Sequence, residues 1–162
     1  MPSIKIVDDL FFPEDRIVLN FRGYNPLAVC NIIKPLLIKI LKVEAKDTIE
    51  KVFRWDRSSD PRSFYNFWTV EKDEDRWSSV YVKVVVQGHQ HSKTKEGNVR
   101  IELYGWLETK YEYSNFLQRM VWLTYNRIFY YKKRRDYMDK GRGYVFRLKN
   151  ELMETLKMPK IA

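Results

Sequence analysis

Apolar and polar residues alternate along the first two thirds of the chain and recur at helical spacing in the last third. Ser3 to Phe12 and Arg16 to Arg22 read as short strands, parted by the turn-like Pro13-Glu14-Asp15. The Pro26 to Lys42 segment is apolar except for a stripe of Asn31, Lys34, Pro35, Lys39 and Lys42, which predicts a surface helix. Asn25 is placed to cap it and Pro26 to open it, while Pro35 predicts a kink or a split into two short helices. Thr48 to Asp56 alternates, with Ile49, Phe53 and Trp55 on one face and Glu50, Arg54 and Asp56 on the other. Ser63 to Glu71 brings Phe64, Tyr65, Phe67 and Trp68, residues suited to a pleated surface. A polar hairpin turn, Lys72 to Arg76, leads into Trp77 to Gln87, where Val80, Val82, Val84 and Val86 share a face. After a loop with Lys93, Lys95 and Gly97, Val99 to Tyr113 sets Val99, Ile101, Leu103, Leu107 and Tyr111 on one side, with Gly105 as a bulge or bend. Sequential strands with short links predict antiparallel pairing.

Ser114 to Lys140 is the longest segment without Gly or Pro. On a helical wheel Phe116, Leu117, Met120, Val121, Leu123, Thr124, Ile128, Tyr131 and Met138 form one broad apolar arc. Ser114 is placed as N-cap, and Gly141 with Gly143 as a stop signal. Trp122, Tyr125 and Phe129 make a second stripe, which either packs on another helix of the chain or offers a stacking surface. Arg127 falls inside the arc, so its head either reaches out to water or points into a polar-lined cavity. Tyr144 to Lys157 predicts a further helix, with Val145, Leu148, Leu152 and Leu156 a turn apart, as partner for the Trp122 stripe. The long helix is expected against the concave face of the sheet. The fold class is therefore α+β: an antiparallel sheet, a short broken helix within residues 1–113, and a basic helical region over 114–158.

Composition sharpens this picture in three ways. The 162 residues suit one domain, and 44% hydrophobic with 15% aromatic content argues for a packed core. The lone Cys30 excludes an intramolecular disulfide and a cysteine-based zinc site. The net charge of +9 is uneven, because residues 114–162 hold 12 Lys and Arg against 4 Asp and Glu. Such asymmetry points either to an anionic partner or to a well-solvated helical face. Met1 to Asp9 lacks the pattern of a signal peptide, so a cytoplasmic setting is expected. Abundant Lys, Arg and Glu with few Gln fits a thermophilic source.

The order strand, broken helix, antiparallel meander and long C-terminal helix, over roughly Arg16 to Lys140, resembles the START-like, or helix-grip, superfamily. The resemblance implies a sheet curved around the long helix and a cavity for an apolar ligand. It rests on element order, so it assigns no residue a role. In such a cavity Met120, Leu123, Thr124 and Arg127 are the expected lining.

Candidate chemistry is sparse. His89 and His91, at i and i+2, would face one way in an extended segment and could share a metal, but exposed loop histidines are the simpler reading. The chain holds no Gly-rich phosphate loop, no HExxH and no nucleophile elbow, so no catalytic residue, metal or cofactor is assigned. The leading expectation is a non-enzymatic binder of an anionic partner, either nucleic acid or an acidic protein. Arg119, Lys132, Lys133, Arg134, Arg135 and Arg142 would supply the charge, and Trp122, Tyr125, Phe129 and Tyr130 the aromatic contacts. A carrier of an apolar small molecule in the helix-grip cavity is the alternative.

Overall fold

A computed structural model of the protein describes residues 2–44, 46, 48–56, 58 and 60–156, with the backbone alone for residues 48–53 and 55. Among the described residues the alternating stretches form six strands: β1 (Ser3–Asp9), β2 (Ile17–Tyr24), β3 (Thr48–Asp56), β4 (Arg62–Asp73), β5 (Ser78–Gln90) and β6 (Glu96–Glu112). All pairings are antiparallel, and β3, β4, β5 and β6 follow one another across the sheet. β1 and β2 share the far side of β6, β2 against Glu96 to Leu103 and β1 against Trp106 to Glu112. The sheet is thus five strands wide, with an interrupted edge.

Gly105 makes no bulge in β6, because the pairing with β5 runs through it unbroken at Val82. Its lack of a side chain serves packing instead. Leu10, almost fully buried, lies where the edge is interrupted, and its Cδ1 would be 2.8 Å from a Cβ on either Gly105 or Gly141. Two glycines, one from the sheet and one from the long helix, therefore make the slot that holds this leucine. The register shift that does occur lies in β3, between Glu50 and Val52.

Val80, Val82, Val84 and Val86 of β5 face Val99, Ile101, Leu103 and Leu107 of β6 on the inner side, all buried. A 3-10 turn at Pro26–Ala28 leads into α1 (Val29–Leu41), which adds Val29, Ile33, Leu37, Ile40 and Leu41 to that core. Pro26 opens the turn as expected, but Asn25 makes no side-chain cap and adopts the left-handed conformation. Pro35 does not divide α1. Pro35 and Asn31 both lie on the exposed side, where water can satisfy the carbonyl that the missing N–H leaves free.

The C-terminal helix departs most from expectation. Its cap is Asn115, whose side chain accepts from the Gln118 amide at 2.9 Å, while Ser114 bonds to the Gln118 side chain. α2 (Phe116–Tyr125) passes through one π turn at Asn126–Tyr130 into α3 (Tyr131–Thr155) without a break. Gly141 and Gly143 stop nothing, and the two helices expected on either side of them are one. Gly141 is buried against Leu10, and burial there offsets its poor helix propensity. Inside the π turn the Tyr131 amide reaches back to the Asn126 carbonyl. That inserted residue rotates everything downstream by roughly 100° relative to an ideal helix. The α3 face carrying Gly141, Val145, Leu148 and Leu152 thereby comes into line with Trp122 and packs on β5 and β6. Among the described residues no helix is long and apolar enough to cross a membrane.

Candidate functional site

The apolar arc read from the wheel does not face the sheet. Phe116 (70%), Leu117 (72%), Val121 (62%), Ile128 (54%) and Phe129 (64%) are exposed, as are Met120, Thr124, Tyr125 and Tyr131. Of the C-terminal helix it is α3 that lies over the sheet, while α2 reaches past the strand ends as an arm. Leu117, Val121, Thr124 and Ile128 run down its outward side at i, i+4, i+7 and i+11. The Thr124 hydroxyl is satisfied by the Met120 carbonyl at 2.9 Å, so polarity does not interrupt the stripe.

An aromatic cluster holds the arm in place. Trp122, 3% exposed, stacks on Tyr111 at 4.9 Å and meets Trp77 edge-on at 6.2 Å. Tyr125 and Tyr130 meet Trp77 edge-on as well. The partner of Trp122 is therefore the end of the sheet and not a second C-terminal helix, and Phe129 is left in solvent.

Behind the cluster lies a polar network. Tyr130, fully buried, has its hydroxyl 2.7 Å from Asp75 Oδ2 and 2.7 Å from Ser78 Oγ, and Ser78 Oγ is 2.9 Å from Thr109 Oγ1. A phenol has one proton. If Tyr130 donates it to the Asp75 carboxylate, Ser78 must donate to Tyr130 and Thr109 to Ser78. The chain thus has one direction. Asp75 also accepts from the Trp77 and Ser78 amides and from the Tyr137 hydroxyl. Burial alone would raise the Asp75 pKa, but bonds from Tyr130, the two amides and Tyr137 outweigh it and hold the carboxyl below its usual range. Burial, and then the bond to Asp75, push the Tyr137 hydroxyl up to about 12.

The six expected cations divide by role. Arg119, Lys132, Lys133 and Arg135 are exposed on the arm and the start of α3. Arg134 turns inward and pairs with Asp8 of β1, with its Nη1 3.4 Å from the Asn126 side chain. Arg142 donates to the Leu10 carbonyl at 2.6 Å and pairs with Asp139. Both therefore tie α3 to the β1–β2 segment, and the proposed binding charge narrows to four cations and Arg127. The expected cavity lining does not assemble: Met120, Thr124 and Arg127 are exposed and only Leu123 is half-buried.

The outer side of the sheet has no described element packed on it, and sequence reading missed it as a site. Cross-strand register aligns Arg22, Asn98, His89, Ser63 and Asp56 in one row across the strands. Asn20, Arg100, Gln87, Tyr65 and Arg54 form the next row. Together they line an open groove of about 690 Å³, floored at Gly88, where any Cβ would collide with the Asn98 carbonyl. Next to it Glu102, buried, takes Arg100 Nε at 2.9 Å, Arg16 at 3.3 Å and the Tyr104 hydroxyl at 2.8 Å. Burial pushes Glu102 up, but Tyr104, Arg16 and Arg100 hold its pKa below the usual value. The opposite end of the same face is net acidic, with Glu71, Asp73, Glu108 and Glu112 around a second hollow that Arg76 and Lys110 also line. His91 lies 3.6 Å from Asp60, and among the described residues no three potential metal ligands converge.

No family model and no curated protein matches this chain. One solved structure, a putative uncharacterized protein from Rhizobium leguminosarum, aligns over 89% of this chain and 99% of its own at 8% identity, with a TM-score of 0.17. A likeness of that size carries no argument about fold or function.

Proposed function

We propose that the protein is a non-enzymatic docking protein that grips an acidic, amphipathic helix of another protein with its α2 arm. The observation that carries this reading is the uncovered apolar stripe rimmed by cations. Surfaces of this kind mark interaction sites, and the stripe's spacing is that of a helix-in-groove seam. Between Tyr113 and Arg135 there is no acidic residue, and five cations are exposed, Arg119, Arg127, Lys132, Lys133 and Arg135. A second copy would set like charge against like, whereas an acidic partner is complementary. Phosphate contacts by Lys and Arg dominate nucleic-acid surfaces, whereas the exposed stripe Leu117, Val121, Thr124 and Ile128 contains no cation. We infer kinship with the helix-grip superfamily from element order alone, and it adds no role for any residue.

The test is fluorescence anisotropy with a labelled model helix bearing Leu at heptad spacing flanked by Glu, alongside single- and double-stranded RNA and DNA, across a salt series. The full-length protein is expected to bind the peptide with a Kd of about 1–10 μM. Changing Leu117 and Ile128 together to Ser should weaken it about tenfold or more while the Tm stays within about 2 °C, since both side chains are exposed. Changing Lys132, Lys133 and Arg135 to Gln should flatten the salt dependence with a smaller loss of affinity. Failure of the peptide to bind, with nucleic acid bound at a log–log salt slope of about −2 to −3 that vanishes in the triple variant, would reassign the arm to nucleic acid.

A further inference from the structure

We propose that the outer groove of the sheet binds a small phosphate ester carrying an aromatic base, of the size of a nucleoside diphosphate. The volume of about 690 Å³ falls in the range of small-molecule sites. Its two rows are polar across all five strands, as the solvated side of an antiparallel sheet commonly is, and register gathers them around one hollow. At one side Arg22 stands diagonally across the β2–β6 pair from Arg100, whereas at the far side Arg54 is accompanied by the carboxylate of Asp56, so the positive end is the β2–β6 end. Among the described residues Arg22 has no hydrogen-bond or ion-pair partner. Arg100 is held through Nε alone, which leaves both of its terminal amino groups unbonded. Guanidiniums presented in this way suit the bidentate grip of a phosphate.

Further along the same rows stand Gln87, His89 and Tyr65, an amide, an imidazole and a phenol ring, the equipment for the edge and face of a base. The acidic hollow at the other end of this face limits how far a polyanion could extend along it. That favours a compact ligand over a nucleic-acid strand. Glu102 has no room for the ligand and acts as a positioning residue for Arg100. This site lies on the sheet, apart from the α2 arm, so it stands or falls independently of the docking reading.

The experiment is isothermal titration calorimetry of the full-length protein with ADP, adenosine, inorganic pyrophosphate and a short oligo-dA. ADP should bind measurably below about 1 mM. Adenosine and pyrophosphate should each be at least about tenfold weaker, because each keeps only part of the contacts. Arg22→Gln and Arg100→Gln should each cost about tenfold for both ADP and pyrophosphate. Tyr65→Ala should weaken ADP but leave pyrophosphate unchanged. Lys34→Gln with Lys39→Gln removes exposed charge from α1, on the opposite side of the sheet, and should change nothing. The proposal is overturned by absence of ADP binding at about 1 mM, by an equal loss in the Lys34/Lys39 variant, or by oligo-dA binding tighter than ADP. Thermal melts of each variant, expected to superimpose on the parent, separate lost binding from lost fold.

Discussion

Asp75→Ala is expected to be the most damaging single change outside the aliphatic core, lowering stability by about 3–5 kcal/mol. The carboxylate accepts from Tyr130, Tyr137 and the amides of Trp77 and Ser78. Removing it leaves the Trp77 and Ser78 amides at the β4–β5 turn without their acceptor and the buried Tyr130 hydroxyl with Ser78 alone, and each buried donor without a partner costs about 1–3 kcal/mol. For a domain of this size the Tm should fall by roughly 10 °C or more, read by circular dichroism. Asp75→Asn should fall between the two, because its amide oxygen accepts while its NH₂ faces donors. Tyr130→Phe removes the bond but keeps the ring against Trp77, and it should cost less than Asp75→Ala.

The same carboxylate sets a pH dependence whose sign is fixed. Its folded pKa lies below the ordinary value, so the unfolded chain binds more protons as the pH falls through the carboxylate range. The stability it contributes is complete above that range and is lost as the pH drops toward the folded pKa. The stability difference between parent and Asp75→Asn should therefore be constant at neutral pH and shrink below about pH 4. Urea melts from pH 7 down to the onset of acid unfolding measure it. A gap that widens on acidification would mean that Asp75 is not the acceptor of this network.

The sheet was legible because its signal is local: the alternation Val80, Val82, Val84, Val86 needs no knowledge of the rest of the chain to predict a strand with one buried face. The antiparallel order followed from short connections. The helix was legible as a helix, but its orientation was not. An apolar arc marks a face that wants cover, and in this arm that face is turned outward while Trp122 on the opposite flank is buried. The π turn added a second error, since a wheel drawn with one period puts Met138 on the same side as Met120. In the structure Met138 packs against the core and Met120 is exposed. The groove was hidden for another reason. Arg22, Arg54 and Arg100 each read as the polar phase of separate strands, and only register brings them onto one surface. Asp75 looked like a residue of a polar turn because its partners, Tyr130 and Tyr137, lie more than fifty positions away.

Gly141 shows how one residue type can carry two opposite instructions, and it makes the second large prediction. Read locally, a glycine near the end of an apolar pattern stops a helix. In the fold it sits mid-helix with Leu10 Cδ1 at 2.8 Å, and Leu10 Cδ2 and Val80 Cγ1 at 3.3 Å, from where a Cβ would stand. Gly141→Val would drive two further methyl-sized groups into that contact. Leu10 cannot retreat, because Gly105 of β6 closes the slot from the other side. The cost is expected to be about 3 kcal/mol or more, the upper end of overpacking. Gly141→Ala sets helix propensity of about 1 kcal/mol against a milder clash and should change stability little. Leu10→Ala empties the slot and should cost about 2–5 kcal/mol. The decisive measurement is the double variant Leu10→Ala with Gly141→Val. If the slot is what couples them, it should recover more than about 1 kcal/mol relative to the sum of the single changes. Simple additivity in chemical denaturation would show that Gly141 is conserving backbone freedom and not space.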